Sequence, residues 1–297
     1  MLPATLVVGA TGFIGTALVK RLVVNQSVIC WVRDIPAARQ KLGDHVTLVT
    51  ELAQIEGPVR RVFNLAGAPI MDKAWDGPRK KVLTDSRVSL TESLVTWMAG
   101  LKDKPEVLVQ GSAVGYYPVS STSPLDETSA PGTGFLAELS TAWEQAALKA
   151  ESLGVRVVLG RTSMVLGEGG GALTKIVPPF RAFVGGPFGS GKQWMPWIHL
   201  FDHLRALELL SRDTSMSGVY NLCSPNSVTS SEFAHSLGAV LHRPSLLKVP
   251  GFVLKLLLGP RSQMLLGSQQ VEPKRLLAAG FVFSYPHLDG AFTEIFS

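Results

Sequence analysis

Gly9, Gly12 and Gly15 stand three apart in Gly9-Ala10-Thr11-Gly12-Phe13-Ile14-Gly15, directly after the apolar run Leu6-Val7-Val8. Glycines at that spacing suit the approach of a phosphate to backbone. One permits a tight turn, one lets the main chain come close to a pyrophosphate, and one lets a helix pack against a strand. A helical pattern follows, with Ile14, Leu18, Leu22 and Val23 on one face, and Val28-Ile29-Cys30-Trp31-Val32 reads as a second buried strand. Strand, glycine turn, helix and strand within about thirty residues make a dinucleotide-binding unit. Its helix N-terminus offers unpaired N–H groups and a partial positive charge to the phosphates.

The end of the second strand selects the nucleotide. An acid there serves the ribose hydroxyls, whereas an arginine suits the 2′-phosphate of NADP, whose geometry a guanidinium matches bidentately. Val32 is followed by Arg33, then Asp34, with Arg39 further on. NADP(H) is therefore the expected cofactor, held by Arg33. The alternative leaves Arg33 as a solvated strand-end charge and gives the ribose to Asp34.

These residues need a frame. Val46–Val49 and Arg61–Leu65 read as further parallel strands, the second ending in Asn64-Leu65-Ala66-Gly67, whose small residues admit a ligand beyond the strand end. A helix is expected over roughly Asp76–Ala99, a strand at Val107–Val109 opening into Gly111-Ser112-Ala113-Val114-Gly115-Tyr116-Tyr117, a helix to about Leu153, and a strand at Val155–Leu159 ending in Arg161-Thr162. Gly167–Gly191 is rich in Gly and Pro and predicts loops and short connections. Ile198–Leu210 predicts a helix, Val219–Cys223 a strand, and Thr229-Ser230-Ser231-Glu232 a capping box before Phe233–Leu241. The pattern predicts an α/β fold: a Rossmann-type doubly wound parallel sheet over residues 1–165, with 198–223 returning to it, and a smaller C-terminal α/β substrate-covering region over 166–297.

The 297-residue chain is 46% hydrophobic and 17% charged, which supports a large core and excludes a disordered chain. No apolar run approaches the roughly 18 residues of a membrane span, and the greasiest late stretch, Gly251–Gly259, is short and interrupted by Lys255. Net charge is +5, with the basic residues dispersed, so no nucleic-acid or membrane partner is expected. Met1–Thr5 carries no basic residue and the glycine motif begins at Gly9, which leaves no room for a cleavable leader. Cys30 and Cys223 lie in apolar stretches without CxxC or Cys/His spacing, so buried free thiols, no metal and a cytoplasmic location are expected.

Several motifs together carry a resemblance that spans essentially the whole chain. Gly9–Gly15, Asn64–Gly67, Gly111–Tyr117 and Trp197–His203 resemble an extended short-chain dehydrogenase/reductase of the NAD-dependent epimerase/dehydratase type. The likeness is greatest to the YfcH-like epimerase subfamily, which also shows stretches similar to Asp85-Ser86-Arg87, Phe135–Ala147 and Gly185–Gly191. Val249–Phe296 resembles that subfamily's C-terminal domain of unknown function, notably at Val271–Leu276, and 245–297 is assigned to it. The resemblance implies that Gly9, Thr11, Gly12, Phe13, Ile14 and Gly15 hold the pyrophosphate and that Arg33 meets the 2′-phosphate. By the same likeness Val32, Leu65 and Ala66 line the path to the nicotinamide, and Arg87 faces the cofactor. It also implies a small polar substrate, such as a nucleotide sugar, and a homodimer formed partly through Asp76–Ala99.

One departure stands out. The family moves its proton with a serine or threonine and a YxxxK pair, in which the lysine lowers the tyrosine pKa. None of the four tyrosines here has a lysine four residues on, and the segment where the motif should fall reads Phe135-Leu136-Ala137-Glu138-Leu139-Ser140. Ser112 matches the family serine, and Tyr116 or Tyr117 is the candidate phenol. Lys73, Lys80, Lys81, Glu138 and His199 are weaker replacements, each with an ordinary structural explanation. The expected activity is that of an NADP(H)-dependent oxidoreductase or epimerase-like enzyme. The alternative is a non-catalytic NADP-binding regulator, or the division-associated role that plant and cyanobacterial relatives suggest.

Overall fold

A computed structural model describes residues 3–297; Met1 and Leu2, where the expectation of a leaderless start begins, lie outside the described residues. The first half alternates strand and helix: β1 (Ala4–Val8), α1 (Phe13–Leu22), β2 (Val28–Trp31), α2 (Ile35–Leu42), β3 (Thr47–Val49) and β4 (Val59–Asn64). It continues through α3 (Gly77–Thr84), α4 (Leu90–Gly100), β5 (Val107–Ala113), α5 (Phe135–Leu148), β6 (Arg156–Thr162) and β7 (Met164–Leu166). Then follow α6 (Leu173–Arg181), β8 (Trp194–Met195), β9 (Trp197–His199), α7 (Leu200–Arg212), β10 (Gly218–Leu222), β11 (Val228–Thr229) and α8 (Ser230–Val240). Four helices close the chain: α9 (Gly251–Leu258), α10 (Gln263–Leu266), α11 (Lys274–Ala278) and α12 (Leu288–Phe296).

Seven strands form one parallel sheet in the order β10-β6-β5-β4-β1-β2-β3. Strand periodicity sends alternate side chains to opposite layers. Val7, Val109 and Val158 pack under α1 and α7, while Leu6, Leu108 and Leu159 pack under α4 and α5. Both faces are covered, which is why these strands read as unrelieved apolar runs. Strand order reverses between β1 and β4, and their carboxyl ends open the crevice where such sheets bind ligands.

A second body holds α6, α8 and α12 around Trp197, Phe233 and Phe292, with the short pairs β8–β11 and β7–β9 at its base. Three details differ from the sequence expectation. Trp197–His199 is a strand, because Met164–Leu166 supplies a parallel partner that local periodicity does not reveal, and α7 begins only at Leu200. The helix expected over Asp76–Ala99 is broken by a π turn at Asp85–Ser89. The Gly/Pro-rich run contains a nine-residue helix, α6, with Pro178 and Pro179 inside it. Leu173, Ile176, Val177 and Phe180 give α6 one buried face that outweighs the donors its prolines lack.

Candidate functional site

The glycine turn is shaped by what a side chain would strike. Gly9 has φ 80°, and a Cβ there would lie 2.7 Å from the Leu65 carbonyl and the Ala66 nitrogen. At Gly15 it would lie 2.2 Å from the Gly9 oxygen, so this glycine lets α1 seat on the turn. Gly12 is exposed and caps α1 without any side-chain oxygen, which leaves the first-turn N–H groups open to an anion. The half-buried Phe13 ring lies against Gly167, Gly170 and Gly171; a Cβ on Gly170 would fall 2.0 Å from it. Beside the turn, Leu65 N donates to the Val8 carbonyl (2.9 Å). The buried Asn64 donates to Thr91 and Gln110 (both 2.9 Å), which fixes the Leu65–Gly67 exit.

At the end of β2, Arg33 and Asp34 stand in different surroundings. Asp34 Oδ1 accepts from Ala37 N (2.9 Å) and serves as the N-cap of α2. Arg33 is exposed and makes no hydrogen bond or ion pair among the described residues. Arg39 turns away, donating to the Gly43 and Val46 carbonyls (3.3 and 3.2 Å). Lys41, which sequence reasoning passed over, lies 3.4 Å from the Thr11 carbonyl and brings a second cation to the same edge.

Behind the carboxyl ends of β5 and β6 lies a buried polar chain. Ser112 Oγ donates to Glu144 Oε1 (2.6 Å), and Arg161 grips the same carboxylate with Nε and Nη2 (both 2.8 Å). Arg161 Nη1 donates to the Tyr117 hydroxyl (3.1 Å), which donates to Asn221 Oδ1 (2.7 Å). Asn221 Nδ2 ends the chain on the Glu272 carbonyl (2.9 Å). Burial pushes the Tyr117 phenol up to about 12, with Arg161 opposing it. Desolvation is the largest influence on Arg161, yet Glu144 and Tyr117 hold it above the usual arginine range. Tyr116 differs from its neighbour: it is half-buried, its ring centroid lies 3.3 Å from the Arg161 guanidinium carbon, and its hydroxyl has no protein partner among the described residues.

Comparison with known proteins places this geometry. A family model described as the NAD dependent epimerase/dehydratase family matches residues 5–223, the whole glycine-turn sheet. The chain belongs to that family. A second model, a domain of unknown function (DUF1731), matches residues 249–295. An Arabidopsis thaliana chloroplastic homologue of epimerase family protein SDR39U1 is 40% identical, over 97% of this chain and 85% of its own. An epimerase family protein of Staphylococcus haemolyticus is 36% identical over 98% of both. The solved human epimerase family protein SDR39U1, crystallised with NADPH, superposes with TM-score 0.89 at 35% identity, each chain covered to 98%. Bacillus cereus UDP-glucuronic acid 4-epimerase shares the fold alone (15% identity, TM-score 0.79).

The chain has the extended short-chain dehydrogenase/reductase fold but no YxxxK pair. Leu136 and Ser140, four apart on α5, lie against Gly115, whose Cβ would sit 3.5 and 3.9 Å from them. Lys73 and Glu138 are exposed, Lys80 lies over the Phe135 ring, and Lys81 pairs with Asp85 (2.6 Å). His199 is taken up by structure: Nδ1 accepts from Phe201 N, which leaves the Nε2 proton for Glu294 (2.9 Å). Arg87 donates to the Leu83 and Ala68 carbonyls and stacks 5.2 Å over Trp143. Burial, then Arg79, lowers its pKa to about 10, so it stays charged behind the Leu65–Gly67 exit.

Besides Lys41, sequence reasoning did not single out Glu144, Arg161 or Asn221 as site members. One signal was available for Glu144. It shares a helical face with Ser140 and Ala147, both buried.

Proposed function

We propose that this chain binds NADP(H) and works as an oxidoreductase or epimerase-like enzyme on a small polar substrate of the nucleotide-sugar kind. The observation that carries the cofactor choice is the division of labour after β2: Asp34 is spent on capping α2 while Arg33 stands free. The residues present fit the group. A Cβ would fill the turn at Gly9, and the α1 N-terminus has no side-chain cap. The first-turn N–H groups of Phe13 and Ile14 would hold the pyrophosphate, and Arg33 with Lys41 the 2′-phosphate. Val32, Leu65 and Ala66 would line the path between. The NADPH crystallised with the human relative supports the same assignment. When bound, the nicotinamide supplies hydride transfer.

The chain's own contribution is orientation and a proton. The Ser112 hydroxyl hydrogen is engaged in a hydrogen bond to Glu144, so its oxygen accepts from a substrate hydroxyl rather than donating to a carbonyl. Tyr116 then carries the transferable proton from its free hydroxyl, with the Arg161 cation against its ring in the position where a lysine would otherwise supply positive charge. Tyr117, locked between Arg161 and Asn221, positions that cation. A second reading is a nucleotide-responsive regulator, favoured by the absence of a YxxxK pair from the chain.

Nicotinamide fluorescence titrations test the cofactor. NADPH binds more tightly than NADH, and Arg33→Ala weakens NADPH by about tenfold or more, as for loss of one charge-assisted phosphate contact, with NADH unchanged. Equal affinities in the parent protein sink the NADP assignment. Turnover of a nucleotide-sugar or small-carbonyl panel, abolished by Tyr116→Phe with NADPH binding retained, supports the enzyme. Tight NADPH binding with no turnover favours the regulator.

A further inference from the structure

Helix α9 does not pack as a helix of a soluble domain should. Of its eight residues, Gly-Phe-Val-Leu-Lys-Leu-Leu-Leu, only Leu254 is buried. Phe252, Val253, Leu256 and Leu257 share the opposite face, with Phe252 73%, Leu256 83% and Leu257 69% exposed. The apolar surface continues beyond the helix. Leu246 and Leu247, just before it, are 83% and 55% exposed. Gly186 packs on the Leu247 backbone, so the Phe183–Val184 turn lies beside them. Phe183 holds φ 63°, a conformation a bulky residue rarely adopts, and there it keeps its ring in solvent with Arg243 4.5 Å away. Counting Met264, eight of the fifteen exposed large apolar side chains fall in these two segments.

Charge says what covers this face. Residues 169–201 and 233–271 together contain seven Lys and Arg and no Asp or Glu, so they account for the whole +5 excess of the chain. Lys175 is paired with Asp72; the other six make no ion pair among the described residues. Arg181, Arg243, Lys248 and Lys255 border the apolar residues in sequence. A second copy docking face to face would set these like charges against one another. An acid-rich protein would satisfy the cations and leave the leucines wet. A surface that offers negative charge outside and hydrocarbon beneath satisfies both.

We propose that α9 and the Phe183–Val184 turn dock this protein on an anionic phospholipid bilayer. The sequence led us to expect no membrane partner because α9 is far too short to span one: eight residues reach about 12 Å against a hydrocarbon core of about 30 Å. A helix of that length lies in the interface instead, its leucines among the acyl chains and Lys255, with Lys248 just before it, at the headgroups. The site stands apart from the glycine turn, so docking is independent of the cofactor reading.

Co-sedimentation of the full chain with phosphatidylglycerol/phosphatidylcholine vesicles and with pure phosphatidylcholine vesicles is the test. We expect binding to the anionic vesicles alone, weakened by salt. Phe252→Ser with Leu256→Ser should weaken it about a hundredfold, as for withdrawing two large apolar side chains from lipid. Lys248→Glu with Lys255→Glu should weaken it more than about tenfold. A cooperative thermal melt close to the parent's in both variants shows that they fold. No sedimentation with anionic vesicles, or binding that the variants leave intact, overturns the proposal. So does a self-association seen by ultracentrifugation without vesicle binding and abolished by the serine variant, which would assign the face to a second copy.

Discussion

Glu144 holds the interior of the site together, because two side chains make three hydrogen bonds to its carboxylate: Ser112 donates one from its hydroxyl, and Arg161 donates two N–H bonds. Both charged side chains are nearly inaccessible, at 7% and 4% exposed. Removing one partner of such a pair strands the other in a dry interior. Glu144→Ala is therefore expected to destabilise the fold by about 3–5 kcal/mol, measured as a shift in the urea midpoint at unchanged slope. A loss below about 1 kcal/mol would mean that water reaches Arg161 and that the network is looser than its distances imply. At this scale the sequence was legible in part. Ser112 could be found because it matches the family serine, and Arg33 because it follows an apolar strand. Glu144 offered only its helical face with Ser140 and Ala147, and Arg161 nothing, since charged residues are presumed solvated until a partner is known, and the two lie 17 residues apart on different elements.

Between elements, the Leu65–Gly67 exit depends on Gly67 having no side chain. A Cβ there would lie 2.8 Å from the Arg87 guanidinium carbon, and the π turn at Asp85–Ser89 is what carries Arg87 in the helix run facing that exit. Gly67→Ala should push Arg87 off the Ala68 carbonyl, destabilise by about 1–3 kcal/mol, and weaken NADPH as the Leu65–Ala66 turn shifts. Thermal melts and nucleotide titration check this. In an Arg87→Ala background the added methyl has nothing to strike, so the two effects should be clearly non-additive; additivity would dissolve the argument. The glycine turn and its flanking strands were readable from sequence because all their determinants are local. A π turn was not, since inserting one residue leaves helical periodicity nearly intact. The Trp197–His199 strand was not either, because only its pairing with Met164–Leu166 makes it one.

Across the whole molecule, the loop after β5 fastens the C-terminal region to the sheet. Leu125 bridges to Val271, Gln269 Nε2 donates to the Pro118 carbonyl (2.8 Å), and Lys274 meets Asp126 (2.7 Å). Lys274, then Thr128, holds the Asp126 carboxyl well below the usual carboxylate range. A depressed folded pKa adds stability above the unfolded value near about 4 and loses it as pH falls through the folded one. Amide exchange in residues 119–132 and 268–275 should therefore rise early as pH drops below about 4, after correction for intrinsic rates. Asp126→Asn should flatten that dependence; identical profiles in the two proteins would discount the clasp. The order of the strands has a consequence of another kind. β10, which completes the sheet beside β6, comes from residues 218–222, long after β6 has been made. At roughly 5–20 residues per second, a ribosome spends on the order of several seconds between Thr162 and Gly218. Throughout that interval the nascent sheet shows an apolar strand with one side unpaired, the kind of edge that recruits other chains. That interval and that strand are where a ribosome-associated chaperone has most to protect.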